Sequence, residues 1–244
     1  MIDARNLTKR HGATTVVDDL SFTLAPGTVT GFLGPNGAGK SSTMRMIVGL
    51  DRPTSGTVTV GGRPYADSPA PMQLLGAMID AKAVHPARTA RGHLTGLALT
   101  HGIGRRRVDA VLEMTGLAGV ATKRIRTFSL GMGQRLGIAT ALLGDPQVLM
   151  LDEPVNGLDP QGVVWVRRLC RSFAAQGRTV LLSSHNMAET AATADRLIII
   201  GDGHKVAEGT TDELLAASDR PHATLEDVFF DLTAAHTRHD AGAI

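Results

Sequence analysis

Short apolar runs alternate along the chain with segments in which apolar residues recur every three or four positions. Thr28–Leu33 is one such run and predicts a buried strand that ends at Gly34. Lys40–Leu50 predicts a helix, because its apolar residues fall on one helix face. The same criteria predict further strands at Thr14–Val17, Ser21–Leu24, Thr57–Val60, Val148–Leu151, Thr179–Ser183 and Leu197–Ile200, and further helices at His93–Thr100, Arg105–Thr115, Leu130–Leu143, Gln161–Ala175, Met187–Ala194, Thr211–Ala217 and Leu225–Leu232.

The order of these elements predicts the fold class. Alternating strands and helices after Asp145 indicate a largely parallel core sheet, with ligands at the carboxyl ends of its strands. The N-terminal part adds antiparallel strands, so we expect an α/β fold with an N-terminal antiparallel β part and an inserted helical lobe. The expected divisions are an α/β core over 1–79 and 144–220, the helical lobe over 80–143, and a C-terminal tail over 221–244 that frays from His236.

Composition and charge narrow the range of functions. The 244 residues carry a net charge of +2 and 3% aromatic residues, so neither bulk charge nor stacked rings favour nucleic-acid binding. The single cysteine, Cys170, excludes an intramolecular disulfide and a multi-cysteine zinc site. The N-terminus lacks the apolar region of a signal peptide, and no apolar run approaches the ~20 residues that span a bilayer. We therefore expect a protein that does not cross a membrane by itself.

Gly34–Ser41 matches the phosphate-loop pattern G-x-x-x-x-G-K-[ST] at every fixed position. Glycines let such a loop curl so that successive backbone N–H groups form an anion nest, and the following helix adds its positive N-terminus. A glycine-rich turn is the plainer alternative, but the predicted strand before the motif and helix after it favour the fold of a P-loop NTPase. Lys40 is then expected to reach the β- and γ-phosphates of ATP, and the Ser41 hydroxyl to ligate Mg²⁺. The expected nucleotide contacts of the loop are Asn36, Gly37, Ala38, Gly39, Lys40, Ser41 and Ser42.

Two acidic residues, Asp152 and Glu153, follow the predicted buried strand Val148–Leu151. In P-loop ATPases an aspartate in this place holds Mg²⁺, so Asp152 is a candidate metal ligand beside Ser41. Beyond the strand end, Glu153 is free to turn toward the γ-phosphate, where a carboxylate acts as a general base or orients a water. An Asp–Glu pair after a strand is more often part of a polar turn than of a catalytic site. The phosphate loop in the same chain favours the catalytic interpretation.

Further motifs make the chain resemble the ATP-binding subunit of an ABC transporter, of the kind found in drug and peptide exporters. Ser129–Arg135 resembles the family signature, Gly157–Pro160 resembles its D-loop, and Ser183–His185 resembles its switch histidine. The resemblance covers nearly the whole chain, and Leu225–Phe230 is similar to tails common among such exporters.

The resemblance implies a head-to-tail dimer with two ATP molecules at the interface. Ser129 and Gly131 are then expected to cap the γ-phosphate of the ATP bound to the other subunit. Asp159 is expected to contact the opposite subunit, to cap the helix that begins at Pro160, or both. His185 is expected to donate to a γ-phosphate oxygen and to sense its loss, although a lone histidine at a strand end is often structural.

The sequence departs from the family pattern at several positions. Leu130 stands where glycine is usual and Met132 where glutamine is common, so bulk at Leu130 either loosens the cap or faces away. Asp80 takes the place of a glutamine, where a carboxylate can bind Mg²⁺ or a water but cannot donate as an amide does. His11 takes the place of the aromatic residue that stacks on adenine. If His11 is only an exposed turn residue, the adenine is expected to rest elsewhere, on Val17.

We therefore expect an ATPase at the cytoplasmic face of the membrane that converts ATP and water to ADP and phosphate with Mg²⁺. ATP binding is expected to close a dimer with an identical or similar subunit, and hydrolysis to reopen it. The expected partner is a separate integral-membrane permease that docks near Asp80–Arg91 and works in export. The run Arg105–Arg107 is either a solvated helix start or a binding patch.

Two other functions stay open at this point. A soluble ABC ATPase acting on ribosomes or DNA would carry paired cassettes or long coiled-coil insertions, and the sequence contains neither. A nucleotide-binding regulatory module that barely hydrolyses ATP is compatible with the altered signature, whereas Glu153 and His185 argue against it.

Overall fold

A computed structural model describes residues 1–218, 220 and 223–237. The strands are β1 (Ile2–His11), β2 (Thr14–Leu24), β3 (Val29–Leu33), β4 (Ser55–Val60), β5 (Leu75–Met78), β6 (Val148–Leu151), β7 (Thr179–Ser184), β8 (Arg196–Gly201) and β9 (His204–Gly209). The helices are α1 (Lys40–Ile47), α2 (Pro71–Leu74), α3 (Ala90–Thr100), α4 (Arg105–Met114), α5 (Leu130–Leu142), α6 (Pro160–Ala175), α7 (Met187–Ala191), α8 (Thr211–Ala216) and α9 (Leu225–Thr237).

A six-stranded sheet of order β5-β6-β7-β3-β8-β9 forms the centre of the fold. All of its strands run parallel except β9, which pairs antiparallel with β8. Every residue of β3, β6 and β7 is buried, as expected for a parallel sheet covered on both faces. Because these strands are neighbours, the loops after Leu33, Leu151 and Ser184 leave the same edge of the sheet. The predicted largely parallel core sheet is confirmed.

The N-terminal part forms a second, antiparallel sheet of order β2-β1-β4. The two predicted pieces within Thr14–Leu24 are one continuous strand, and the sequence pattern does not predict β1 at all. Register shifts interrupt both pairings of β1, and Asn6 and Asp19 have positive φ angles of 48° and 49°. Such bulges break the two-residue alternation by which a half-exposed strand is recognised in a sequence.

Helices α3, α4 and α5 occupy the segment predicted as a helical lobe. Their buried residues, among them Leu94, Val111 and Leu136, belong to the same apolar cluster as Leu33 and Leu149 of the central sheet. The lobe is therefore packed onto the sheet through a continuous core.

Arg107 ties the helical lobe to the start of β6. Its guanidinium donates to the carbonyl oxygen of Leu142 at 2.6 Å and pairs with Asp145 at 3.2 Å. Arg178 pairs with the same carboxylate at 2.8 Å, and its hydrogen bond is the main reason why the pKa of Asp145 lies below its usual value. One member of the run Arg105–Arg107 is thus a cap for the end of α5, whereas the other two are exposed.

The ends of most predicted elements lie within a few residues of the observed ends. Helix α7 ends at Ala191 rather than Ala194, and α9 continues to Thr237, so His236 lies inside a helix where fraying is predicted. The rest of the predicted frayed tail, residues 238–244, lies outside the described residues. No helix in the part of the chain that the structure describes is long and apolar enough to cross a bilayer.

Candidate nucleotide-binding site

The phosphate-loop motif lies between β3 and α1 and borders an open cavity of about 310 Å³. Gly39 has a φ angle of 98°, and a β-carbon added there would lie 2.5 Å from the carbonyl oxygen of Val16. Gly37 also has a positive φ angle, of 87°. Both conformations favour glycine, which is why the loop can curl and start helix α1 at Lys40. The cavity is lined by Val16, Asn36, Gly37, Gly39, Lys40, Ser41, Ser42, Asp152 and Glu153.

Lys40 is buried, with its ammonium directed at carbonyl groups of the loop. Its Nζ donates to the carbonyl oxygens of Gly34 at 2.6 Å and Pro35 at 3.0 Å. Burial lowers the pKa of Lys40, and the carboxylates of Glu153 and Asp152 partly oppose that shift. The loop therefore holds a cation that has few water contacts next to two acidic side chains.

Asp152 lies just beyond β6 and faces the first turn of α1. Its Oδ2 accepts a hydrogen bond of 2.7 Å from Ser41 Oγ, and its Oδ1 accepts a hydrogen bond from Ser183 Oγ. The structure thus brings together Ser41 and Asp152, two of the three residues predicted as metal ligands. Oxygen ligands of this kind suit Mg²⁺, which binds through one or two carboxylates together with waters and substrate phosphates. Among the described residues, no group of three or more His, Cys, Asp or Glu side chains forms a candidate metal site.

Glu153 and His185 meet where β6 and β7 end. Glu153 Oε2 lies 2.9 Å from His185 Nδ1. The Glu153 backbone has a φ angle of 48°. Its N–H donates to Ser183 Oγ at 3.0 Å, and its carbonyl oxygen accepts from Gln134 Nε2 at 2.7 Å. Ser183 belongs to the switch-histidine motif and Gln134 to the signature motif. The sequence gives no sign that either residue contacts Glu153, because these are tertiary contacts between distant segments.

Ser129 and Gly131 lie at the start of α5, and neither lines the phosphate-loop cavity of its own chain. Ser129 caps α5, because its Oγ accepts from the N–H of Met132 at 3.3 Å. Ser129 lines a second cavity of about 350 Å³ between α5 and the segment after β5. Asp159 caps α6 in the same way, with Oδ1 accepting from the N–H of Gly162 at 2.7 Å. The capping alternative for Asp159 is therefore present in the structure.

Leu130 packs against the D-loop motif of its own chain. A β-carbon placed on Gly157 would lie 2.2 Å from Leu130 Cδ2. Gly157 has a φ angle of 74°, so its conformation and its neighbour both require glycine. The Leu130 side chain stays 55% exposed. Its bulk is accommodated beside Gly157 within one chain.

The two candidates for adenine contact do not line the cavity. His11 is exposed at the end of β1, opposite Thr14 in the turn to β2. Val17 is 1% exposed and packs in the N-terminal core. Successive side chains of a strand point to opposite faces, so Val16 lines the cavity in place of Val17.

Two further predicted contacts lie outside the cavity lining. Asp80, a predicted metal ligand, is exposed, and its Oδ1 accepts from the N–H of Lys82 at 2.8 Å. Ala38 is buried within the phosphate loop, where its N–H donates to the carbonyl oxygen of Pro35 at 3.2 Å. Both residues are held by short-range turns, and the turn at Asp80 lies outside every sequence motif.

Comparison with known proteins gives consistent matches over most of the chain. A family model described as ABC transporter matches residues 17–156. An ABC transporter ATP-binding protein of Bacillus subtilis (strain 168) is 37% identical over 226 residues, which are 90% of this chain and 73% of the relative. The bacitracin transport ATP-binding protein of Bacillus licheniformis is 40% identical over 217 residues, which are 88% of this chain and 71% of the relative. The Nod factor export ATP-binding protein I of Burkholderia lata is 38% identical over 232 residues, which are 92% and 72% of the two chains.

Solved structures resemble the fold closely. The ATP-binding subunit of an ABC transporter superposes with a TM-score of 0.86 at 28% identity and covers 96% of this chain and 99% of its own. A dimeric bacterial ABC transporter cassette has a TM-score of 0.79 at 24% identity and covers 86% of this chain and 98% of its own, a likeness that concerns the fold. The family match includes the phosphate loop, the signature helix and the Asp152–Glu153 pair.

Proposed function

Since this chain belongs to the ABC transporter family of ATP-binding proteins, we propose that it hydrolyses MgATP to power export by a separate membrane permease. The chain is an ATP-binding ATPase subunit. The observation that carries the proposal is the meeting of the phosphate loop with the Asp152–Glu153 pair around one cavity.

The phosphate loop and the start of α1 bind the ATP phosphates in this proposal. Backbone N–H groups of the loop and the positive end of α1 bind the phosphates, so these interactions do not depend on which nucleotide base is present. Lys40 exchanges its carbonyl partners, Gly34 and Pro35, for β- and γ-phosphate oxygens. An ammonium already deprived of water by burial gains most from an anionic partner.

We assign Mg²⁺ to Ser41 and Asp152, whose side-chain oxygens lie 2.7 Å apart. A hard cation takes hydroxyl and carboxylate oxygens readily and leaves its remaining positions to water and phosphate oxygens. When bound, the ion neutralises charge on the phosphates. Ser183 also donates to Asp152, which fixes the carboxylate and keeps Oδ2 directed at Ser41.

Glu153 serves as the general base of hydrolysis. The oxygen of a water attacks the γ-phosphorus as its proton passes to the Glu153 carboxylate. The bond between that phosphorus and the β–γ bridging oxygen breaks, which yields ADP and phosphate. His185 orients the carboxylate by donating from Nδ1 to Glu153 Oε2 at 2.9 Å, and we assign the other edge of its ring to the side of the γ-phosphate.

A second copy of the chain completes the site. Because Ser129 and Gly131 do not line the cavity of their own chain, we assign them to the nucleotide bound by the partner, where a hydroxyl and a backbone N–H meet γ-phosphate charge. Asp159 uses Oδ1 in its helix cap, and its second carboxylate oxygen is assigned to the interface. Two such copies bind two ATP molecules.

The permease and the direction of transport are inferred from the relatives and from one groove. The named relatives act in Nod factor export and bacitracin transport, which favours export over a role on ribosomes or DNA. The groove beside Ser129 is flanked by apolar side chains, including Val84, Pro86 and Phe128. We assign this groove to a helix of the permease, and we propose that the subunit works at the cytoplasmic face of the membrane.

Phosphate release by the full chain tests the proposal. We expect steady release with MgATP, loss of release on chelation of Mg²⁺ with EDTA, and a fall of at least about tenfold in Lys40→Ala. Lys205→Ala is the matched control, since Lys205 pairs with Glu208 on β9 at 2.8 Å and does not line the cavity. A chain that binds ATP without releasing phosphate would be a regulatory module and would contradict the proposal.

A further inference from the structure

Both backbone polar groups of Glu153 are held by side chains from other elements. Ser183, the fifth residue of β7, accepts from the Glu153 N–H at 3.0 Å. Gln134, on α5, donates from Nε2 to the Glu153 carbonyl oxygen at 2.7 Å. The Glu153 φ angle of 48° is uncommon for a residue with a side chain. Such a conformation persists where the surroundings over-determine it.

Gln134 is well placed to fix this conformation. Gln134 is 6% exposed. Helix α5 packs against β5 and β6, and its residues Leu136 and Ile138 are part of the buried core. The orientation of the amide follows from its partner, because a carbonyl oxygen accepts only from the NH₂ end. A buried amide with a short bond to one backbone atom leaves Glu153 little freedom.

The same helix carries the residues assigned to the partner's nucleotide. Ser129 is the N-cap of α5, and Gln134 lies in its first turns. A rigid helix therefore joins the capping residue of one site to the backbone of the general base of the other site. A displacement of α5 would reach Glu153 through the Gln134 hydrogen bond.

We propose that Gln134 is a positioning residue for hydrolysis, which holds the backbone of Glu153 so that its carboxylate faces the phosphate-loop cavity. The proposal rests on the proposed role of Glu153 as general base. Gln134 does not line the phosphate-loop cavity, which is the proposed site of ATP and of the attacking water. Its loss is therefore expected to lower kcat and to leave ATP affinity unchanged.

Gln134→Met tests this in the full chain, because methionine has a similar length and no N–H donor. We expect kcat to fall about tenfold, the rate effect of one lost hydrogen bond near the reacting groups, with KM within about twofold. Gln176→Met is the matched control, since Gln176 is exposed at the end of α6 and is expected to keep the parent kcat. The fluorescence of Trp165, the only tryptophan, checks that the lobe stays packed, because Trp165 donates to Met114 O at 3.2 Å across α6 and α4.

The double variant Gln134→Met/Glu153→Gln distinguishes a positioning role of Gln134 from a general structural defect. If Gln134 acts through Glu153, adding Gln134→Met to Glu153→Gln removes no further turnover, whereas a structural defect lowers it again. An unchanged kcat in folded Gln134→Met, or a raised KM with the parent kcat, would overturn the inference. If Gln134→Met does not fold, Gln134→Asn decides by the same criteria, since its amide is one methylene too short to reach. Normal hydrolysis by Glu153→Gln alone would refute the proposed function instead.

Discussion

At the scale of single residues, glycines decide how the loops around the site pack. Gly39 and Gly157 have positive φ angles of 98° and 74°, and each lies against another part of the chain. The sequence motif predicts the first, because the phosphate-loop pattern fixes its own backbone. The contact between Gly157 and Leu130 is visible only in the structure, since Gly157 lies in the loop before α6 and Leu130 is the first residue of α5.

Gly157→Ala is expected to destabilise the fold by steric contact as well as by backbone strain. A left-handed residue with a side chain costs about 1–2 kcal/mol, and crowding against Leu130 adds at least about 1 kcal/mol. Gly177→Ala is the control, since Gly177 has a φ angle of 78° with no atom within 4 Å of an added β-carbon. Urea unfolding should give a larger loss for Gly157→Ala, and Leu130→Ala should narrow the gap. Equal losses in both glycine variants would contradict the packing of Leu130 on Gly157.

Most contacts made by the phosphate loop itself could be predicted from the sequence. The positions of residues from other parts of the chain could not. Asn36, Gly37 and Lys40 belong to one contiguous pattern with a fixed local geometry. Val16 reaches the cavity from β2, and its position depends on which face of that strand meets the loop. His11 and Asp80 sit in turns whose direction no motif specifies, so the adenine role of His11 stays a prediction.

At the scale of elements, buried strands and long helices follow the sequence pattern, and short or irregular elements do not. Strand β6 is apolar throughout and was recognisable, whereas β5 has four residues and includes Gly76. Helix ends depend on caps, and the cap of α5 at its C-terminus is the distant Arg107. The charge of the run Arg105–Arg107 does not predict that Arg107 contacts the end of α5.

Arg107→Met is expected to lower the free energy of unfolding by about 1–3 kcal/mol, because it leaves the Leu142 carbonyl and Asp145 without this donor. Arg106→Met is the control, since Arg106 is exposed and a surface change of this kind costs within about 0.5 kcal/mol. Chemical denaturation of the two variants measures the difference. Similar losses in both would mean that Arg107 does not cap α5.

His93 on α3 makes the helical lobe sensitive to acid. It is 8% exposed, its Nε2 lies 3.3 Å from Thr140 Oγ1, and its Nδ1 has no hydrogen-bond partner among the described residues. Burial, and then the charge of Arg88, lowers its pKa. The unfolded chain therefore binds the proton more readily, so stability is full above about pH 6.5 and falls as the pH drops toward the lowered value.

Unfolding by urea at pH 8 and pH 5 measures this effect. We expect the parent chain to lose more stability between the two values than His93→Leu, which has no imidazole to protonate. His101→Leu is the control, because His101 is exposed at the end of α3 and its loss should leave the parent pH dependence in place. The same pH dependence in His93→Leu and in the parent would show that another group is responsible.

At the scale of the whole molecule, parallel topology gathers the catalytic candidates at one edge. Strands β3, β6 and β7 are neighbours, so the phosphate loop, Glu153 and His185 follow strand ends that lie side by side. This grouping was predictable, because the carboxyl ends of parallel strands meet. Ser129 lines the other cavity, so the part in hydrolysis proposed for it depends on a second copy of the chain.

In the proposed cycle, the cassette closes around ATP as a dimer and reopens through Glu153-dependent hydrolysis. Glu153→Gln keeps the size of the side chain and removes the base, so we expect ATP to bind and to turn over at least about a hundredfold more slowly. Size-exclusion chromatography with light scattering, run with MgATP, then measures the mass. We expect twice the monomer mass for Glu153→Gln and the monomer mass when Ser129→Ala is added. A Glu153→Gln chain that remains monomeric with MgATP and releases phosphate at the parent rate would contradict the proposed cycle.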